Sequence, residues 1–375
     1  MKFICTKENL SHALDLVSGI AAKHTNLPIL SNILISVKES RVELIATNLE
    51  MAVKVNLRAK VESDGIFTVP SKTLTDYIHL LSNEQIEIEL VGNELMVKCG
   101  SSETKIKGTV AEEFPLVPEV EEKFAYVVDA QEYKKSLSEV VFAAARNEIR
   151  PELSGVYFGF FTERFEGLVV AATDSYRLAE YRTTLDQGSE NIKVIVPSRT
   201  VYEMIRILSL SKDIQQAEKN IRLWVSENQI AIRYDNFELT SRLVDGKYPD
   251  YAQIIPASFK TDAIFPISVL ENKIKAAGLF TTTGVNAVSF SFDPSNHTIK
   301  VSSTSTQTGE HVSDMEAEVT GEKNQILLNH RYVLEGLQNM NSETSRFRLN
   351  SADSPCLIEP KDGGKYLYIV MPIRQ

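Results

Sequence analysis

The feature that most constrains this chain is an internal pattern that occurs three times. In each copy a strand-like alternating segment leads into a helical stripe of apolar residues. The alternating segments are 65–71, 192–198 and 324–330. The stripes begin at Leu74, Val201 and Val333, and Gly336 leaves a gap in the third. Because a repeat of about 125 residues can enclose its own core, we predict three similar domains.

The flanking patterns repeat as well. Each stripe is followed by two alternating segments around a polar turn, as in a β-hairpin. A further helical stripe and an apolar strand open each copy. Asp129 and Ser268, each three residues before a Glu, resemble the N-caps of two of these helices. Each repeat then has two helices against antiparallel sheets, which predicts the α+β class.

Two polar stretches that contain proline mark the boundaries between the repeats. These stretches are 118–123 and 256–260. Because domain boundaries fall in such linkers, we expect domains at 1–120, 126–250 and 258–375.

Composition limits the compartment and the partners. The formal net charge of -10 argues against basic patches over the whole surface, but it is compatible with one local basic surface. Three scattered cysteines form neither a disulfide framework nor a zinc spacing. Without a signal peptide or an apolar run of about 18 residues, we expect a soluble, cytoplasmic protein with no membrane partner.

The sequence offers no pattern for catalysis. Its six histidines do not cluster as metal ligands. No glycine-rich phosphate loop precedes a helix, and no serine has the glycines of a nucleophile elbow. An enzyme stays as one class of function, but we expect no catalytic residue, metal or cofactor.

The stretch 172–179 follows an apolar strand with three small polar turn residues, and then presents Tyr176 and Arg177. Tyr and Arg are enriched at interface hot spots. A strand end with a solvated arginine is the simpler interpretation. The apolar stretch 368–375 is unusual for a frayed terminus, and it favours a functional surface.

Several separate motifs, in one order along the chain, resemble the bacterial β sliding clamp family, the β subunit of DNA polymerase III. These motifs are residues 1–3, 27–32, 47–51, 172–179, 243–251 and 370–374. The resemblance implies the DNA-clamp fold, with three domains per chain and two chains joined head to tail in a six-domain ring. It also implies a non-catalytic processivity factor for DNA replication, without 3'-5' exonuclease activity in this chain.

The resemblance further implies partners. The ring encircles double-stranded DNA without reading its sequence. The chain also binds the polymerase III catalytic subunit, the clamp loader, and other replication and repair proteins that carry a clamp-binding motif. Their peptides insert between the second and third domains. The matching positions are Leu153, Thr173, Ser175, Tyr176, Arg177, Leu178, Pro249, Ile254, Asn329, Tyr332, Ile369, Val370, Met371, Pro372, Ile373 and Arg374.

Two places depart from the family pattern. Many relatives have Gly-His where this chain has Ser175 and Tyr176, and some have a basic residue at the position of Gln253. We expect the Ser175 side chain to alter the polar edge of the peptide groove.

The resemblance also suggests residues for DNA and for the ring interface. The expected DNA-facing residues are Lys23, His24, Lys72, Asn147, Arg150 and Arg199. A solvated helix face is the simpler interpretation for any one of them. Ile106 and Leu279 are the expected dimer-interface residues.

The alternative function is a three-repeat peptide-binding scaffold, or a diverged clamp paralogue, that does not encircle DNA. A dimer of twice the chain mass of 42.0 kDa favours the clamp. A stable monomer favours the scaffold.

Overall fold

A computed structural model of the chain describes residues 1–21, 27–147, 149–211, 219–282 and 284–374. Lys23 and His24, two of the expected DNA-facing residues, lie outside these ranges.

The first repeat begins with a strand and a helix and ends in a hairpin. Its elements are β1 (Lys2–Thr6), α1 (Lys7–Ser18), β2 (Asn32–Lys38), β3 (Arg41–Thr47), β4 (Met51–Leu57), β5 (Lys60–Ser63), β6 (Gly65–Pro70), α2 (Ser71–Leu80), β7 (Gln85–Val91), β8 (Glu94–Cys99) and β9 (Ser102–Lys107). Segment 65–71 therefore forms a strand and the first residue of a helix, as its pattern predicts.

The second repeat follows a similar order, with a short additional helix, α4, and one strand fewer between its two longer helices. Its elements are β10 (Phe124–Asp129), α3 (Ala130–Ser138), α4 (Pro151–Ser154), β11 (Gly155–Thr162), β12 (Phe165–Thr173), β13 (Arg177–Thr183), β14 (Ile192–Pro197), α5 (Ser198–Leu210), β15 (Asn220–Val225), β16 (Gln229–Tyr234) and β17 (Phe237–Arg242). Short 3-10 turns cover Val141–Ala143 and, after β17, Tyr251–Ile254.

The third repeat closes the chain. Its elements are β18 (Thr261–Pro266), α6 (Ile267–Gly278), β19 (Ala287–Asp293), β20 (Thr298–Ser305), β21 (Gly309–Glu316), β22 (Glu318–Gly321), β23 (Asn324–Asn329), α7 (His330–Asn339), β24 (Thr344–Leu349), β25 (Cys356–Pro360) and β26 (Tyr366–Val370). The predicted threefold pattern of strand, helix and hairpin is confirmed.

Of the two expected N-caps, one is confirmed and one is wrong. The Asp129 carboxylate accepts hydrogen bonds from the backbone N–H groups of Gln131 and Glu132, both at 3.0 Å. Ser268 lies inside α6, which begins one residue earlier, after Pro266. The fixed φ of proline suits a helix start, so Pro266 takes the N-cap position without a side-chain bond.

The elements pack into two compact units. Unit 1 contains Met1–Lys134, Leu185–Ser189 and Arg199–Leu243, and unit 2 contains Lys135–Thr184, Glu190–Ser198 and Val244–Gln375. In unit 1 the sheets have the strand orders β10-β15-β16-β17-β4-β3-β2-β6 and β5-β1-β7-β8-β9. In unit 2 the orders are β14-β11-β12-β13-β26-β25-β24-β18-β22 and β21-β20-β19-β23.

Both large sheets combine strands from two repeats. In unit 1, β17 of the second repeat pairs antiparallel with β4 of the first, so that Leu239 lies opposite Val53. In unit 2, β13 pairs antiparallel with β26, so that Leu178 lies opposite Ile369. The second pairing brings the stretch 172–179 next to the end of the chain.

The helical stripes face the cores, as predicted. Leu74 of α2, Val201 of α5 and Val333 of α7 are fully buried. Burial of such side chains contributes about 1.5–3 kcal/mol each. The gap at Gly336 is filled by the buried ring of Tyr368, which a Cβ at Gly336 would strike.

Candidate functional site

The turn between β12 and β13 is closed by small polar side chains. The Thr173 hydroxyl accepts a hydrogen bond from the Ser175 N–H at 3.1 Å and donates one to the Arg177 carbonyl. The Asp174 carboxylate accepts from the N–H groups of Tyr176 and Arg177 at 3.0 and 3.1 Å. These side chains form hydrogen bonds with backbone groups of the turn, in place of the partners that a neighbouring strand would supply. The polar cluster therefore ends the apolar strand.

Ser175 occupies a backbone conformation that favours glycine. Its φ is 76°, in the left-handed region. That region costs a residue with a Cβ about 1–2 kcal/mol, whereas glycine adopts it without that cost. The glycine expected in many relatives at this position therefore has a conformational reason, and this chain tolerates the strain.

Arg177 is a buried ion-pair centre. Its side chain is 3% exposed, and its Nε donates to the Asp174 carboxylate at 3.0 Å. One terminal nitrogen donates to the Phe142 carbonyl at 3.0 Å, and the other pairs with Glu335 of α7. The guanidinium also lies 4.7 Å from the centre of the Tyr332 ring. It thus joins the turn, the 3-10 segment Val141–Ala143 and α7.

Two tyrosine rings lie beside this arginine. Tyr176 is 63% exposed, and its ring stacks on Tyr332 with 6.4 Å between the centroids. Partial burial raises the pKa of the Tyr332 hydroxyl. Asn329 is the N-cap of α7, the helix that carries Tyr332, and its side chain accepts a hydrogen bond from the Arg331 N–H at 3.0 Å.

The apolar end of the chain is held in place on both sides. The Met371 N–H donates to the Tyr176 carbonyl at 2.9 Å, which continues the pairing of β26 with β13. The Ile373 N–H donates to the Leu327 carbonyl of β23, also at 2.9 Å. The prediction that this stretch is not frayed is confirmed for residues up to Ile373.

An apolar cluster packs around the pair formed by Leu178 of β13 and Ile369 of β26. Leu178 and Ile369 are fully buried in it with Tyr248 and Tyr251, and the half-buried Ile254 and Met371 pack against them. We call the turn 173–177, the segment 371–374, the first turn of α7 and this cluster the Arg177 surface.

The remaining expected peptide-binding residues lie in unit 2 as well. Leu153, at the end of α4, is 2% exposed, and its carbonyl accepts from the Ala145 N–H at 2.9 Å. Pro249 lines a cavity of about 400 Å³ together with Tyr157, Arg164 and other residues. Arg374 is exposed, and Val370 is buried opposite Arg177.

The expected DNA-facing residues that the structure describes are all exposed. Lys72 of α2 pairs with Asp76 at 2.6 Å, and Arg150 pairs with Glu152 at 2.9 Å. Asn147 precedes α4, and Arg199 lies in the first turn of α5.

The two expected interface residues differ in exposure. Leu279, at the end of α6, is 72% exposed, so its side chain is available to a partner. Ile106 of β9 is 6% exposed and faces its own core. Its side chain is therefore unavailable, and only the backbone of β9 remains at the sheet edge.

Sequence reasoning missed the acidic partners of Arg177. Asp174 belongs to the singled-out motif, but it was not selected as a site residue. Glu335 lies 158 residues from Arg177 in the chain. Its only signal is a position three residues after Tyr332, on the same face of α7.

Within the described ranges, no group of three or more His, Cys, Asp or Glu residues is arranged to hold a metal ion. None of the helices in the described part of the chain has the length and apolar character that a membrane crossing requires.

Comparison with known proteins covers the whole chain. Family models of the DNA polymerase III beta subunit match its N-terminal domain over residues 1–118, its central domain over 127–250 and its C-terminal domain over 252–374. The beta sliding clamp of Synechococcus elongatus is 30% identical over 380 aligned residues, which cover 100% of this chain and 99% of that protein.

Solved structures give the same result. The DNA polymerase III beta subunit of Thermotoga maritima is 27% identical with a TM-score of 0.91, covering 100% of this chain and 99% of that one. The sliding clamp of Pseudomonas aeruginosa bound to griselimycin is 26% identical with a TM-score of 0.92, and the match covers 100% of both chains.

Proposed function

Because this chain belongs to the β sliding clamp family, the beta subunit of DNA polymerase III, we propose that it encircles double-stranded DNA and binds partner peptides at the Arg177 surface. It is a DNA sliding clamp with three repeated clamp domains, and a non-catalytic subunit of the polymerase holoenzyme. Family membership favours the clamp over the scaffold and over an enzyme.

The convergence of four separate parts of the chain on one surface carries the peptide-binding proposal. The exposed Tyr176 and the half-buried Tyr332 offer aromatic faces beside the apolar side chains of Ile254 and Met371. Aromatic residues anchor interfaces, and methionine adapts to partners of different shape. Buried ion pairs at Arg177 fix the backbone beneath, so the surface is formed before a peptide arrives.

The proposed DNA-facing residues are expected to contact DNA phosphates only weakly. Lys72 and Arg150 each have a nearby carboxylate, Asp76 and Glu152, which reduces their attraction for phosphate. The net charge of -10 lowers bulk affinity for DNA further. A clamp that holds DNA by its topology needs only such weak, sequence-independent contacts in order to slide.

Charge complementarity between two sheet edges supports a head-to-tail dimer. Strand β9 is an edge strand of unit 1 and carries Lys105 and Lys107, while its one acidic residue, Glu103, is paired with Lys98 of β8. Strand β21 is an edge strand of unit 2 and carries Glu310, Asp314 and Glu316. An edge strand can pair with a strand of another chain. We place β9 of one protomer against β21 of its partner, a heterologous contact of the kind that closes rings.

Apolar side chains lie beside the acidic edge. Leu279 is 72% exposed, and the neighbouring Phe280 stacks on His311 of β21 with 5.8 Å between the ring centroids. Val312 of the same strand is 59% exposed. Leu279 is thus our main interface side chain, and Ile106 contributes through its strand backbone.

The rest of the assignment follows from the same family. We place the domains at 1–120, 126–250 and 258–375, separated by the two proline-containing stretches. The clamp loader and the replication and repair proteins with a clamp-binding motif share the Arg177 surface with the polymerase catalytic subunit. The protein acts in the cytoplasm, where bacterial DNA is replicated.

A peptide-binding measurement tests the function. We expect a fluorescent peptide with the sequence Gln-Leu-x-Leu-Phe to bind wild type with a micromolar Kd, which corresponds to about -8 kcal/mol. Met371→Ala removes an apolar contact, and Arg177→Ala releases the turn from α7. We expect each to raise the Kd about tenfold or more, as residues at hot spots do. Fluorescence anisotropy gives the affinities, and circular dichroism checks the fold.

The matched control is Arg346→Ala. Arg346 is also a partly buried arginine on a strand of unit 2, paired with Asp262 at 3.1 Å and outside the Arg177 surface. We expect it to leave the Kd unchanged. A folded wild type that fails to bind, or equal binding by all variants, contradicts the assignment.

A further inference from the structure

One carboxylate beneath the Arg177 surface is shared by two arginines. Glu335 pairs through one oxygen with Arg177 and through the other with Arg146, at 3.8 Å. Arg146 follows the 3-10 segment Val141–Ala143 and directly precedes Asn147, one of the residues proposed to face DNA.

The two arginines differ in how firmly they are held. Arg177 is 3% exposed and also donates to Asp174 and to the Phe142 carbonyl, so its departure would leave several polar groups unpaired. Arg146 is 86% exposed, and its pair with Glu335 is long and solvated. Exposed pairs of this kind are weak and screened by salt. Arg146 is therefore the partner that an added polyanion can remove.

Glu335 acts on the surface through α7. It lies three residues after Tyr332, on the same helix face. Tyr332 in turn stacks on the exposed Tyr176, and its carbonyl accepts from the Tyr368 hydroxyl at 2.9 Å. A firmer pair between Glu335 and Arg177 holds both aromatic rings in the geometry that a peptide meets.

We propose that Glu335 is a positioning residue for partner binding and that Arg146 makes its effect depend on DNA. When phosphates attract Arg146, Glu335 pairs with Arg177 alone, and the Arg177 surface binds peptides more tightly. This inference rests on the proposed function. Because linkage is reciprocal, a bound peptide raises the affinity for DNA by the same factor.

The test measures peptide affinity of the full chain with and without a saturating 20-base-pair duplex at low salt. For wild type we expect the peptide to bind about two- to fivefold more tightly with DNA, the range that one exposed ion pair can supply. Arg146→Ala and Glu335→Gln abolish the shift, whereas Arg146→Lys keeps most of it. Titration of the duplex on each variant ensures saturation.

Arg222→Ala is the matched control, because Arg222 is also an exposed arginine, but it pairs with Glu122 and not with Glu335. We expect it to keep the DNA-induced shift. The inference is overturned if DNA leaves the wild-type affinity unchanged or weakens it, or if Arg146→Ala responds to DNA as wild type does. Absence of peptide binding to wild type without DNA would instead contradict the proposed function.

Discussion

Gly336 shows how one missing side chain positions a strand against a helix. The ring of Tyr368 fills the gap in α7, is fully buried, and is tied down by its hydroxyl bond to the Tyr332 carbonyl. We expect Gly336→Ala to lower the free energy of unfolding by about 1–3 kcal/mol, because overpacking outweighs the gain in helix propensity. Urea unfolding measures this. Gln338→Ala, at an exposed position of α7, should change it by less than about 0.5 kcal/mol. A stabilised Gly336→Ala contradicts this account.

Individual residues of the site were predictable to different degrees. Leu178 and Met371 were predicted because they stand in motifs that resemble those of the clamp family. The burial of Arg177 could not be predicted, since it depends on contacts with Glu335 and Phe142, which are distant in sequence. The strain at Ser175 was visible only as a departure from glycine, without its cause.

At the scale of elements, the start of α7 contains a pH-sensitive group. Burial, followed by the charge of Arg331, lowers the pKa of His330, whose Nδ1 has no hydrogen-bond partner among the described residues. The native state therefore favours neutral His330. The neutral imidazole contributes to the stability of the native state above about pH 6.5, and this contribution is lost as the pH falls through the lowered pKa. A positive charge is also unfavourable at a helix N-terminus.

Replacing this histidine tests that account. We expect His330→Asn to reduce the loss of unfolding free energy between pH 7 and pH 5, measured by urea unfolding at each pH. His297→Asn, in an exposed turn, should retain the wild-type profile. Equal pH dependence in wild type and His330→Asn would exclude this role.

The elements themselves were largely predictable, but their partners were not. Alternation in segment 192–198 indicates a strand and its buried face, and the stripe from Val201 indicates a helix. Neither pattern specifies the neighbouring strand. The pairing of β13 with β26 is set by long-range packing, because Leu178 and Ile369 join one apolar cluster.

At the scale of the whole molecule, the proposed ring depends on two complementary edges. We expect a dimer of twice 42.0 kDa by analytical ultracentrifugation. Leu279→Asp should give monomers, since it places a charge in an apolar contact beside an acidic strand. High salt should weaken the dimer by screening Lys105 and Lys107. Leu116→Asp is the control, because Leu116 is 97% exposed and lies outside both edge strands. A wild-type monomer at micromolar concentration contradicts the ring.

The two large sheets that join strands of neighbouring repeats limit how such a chain can change in evolution. Loss of the third repeat would remove β26 and leave β13 with an open edge, and loss of the first would do the same to β17. Open edges recruit strands from other molecules. A gene that lost either of these repeats would therefore encode a protein prone to aggregation. Three repeats can diverge in sequence, as these have, while their number stays the same.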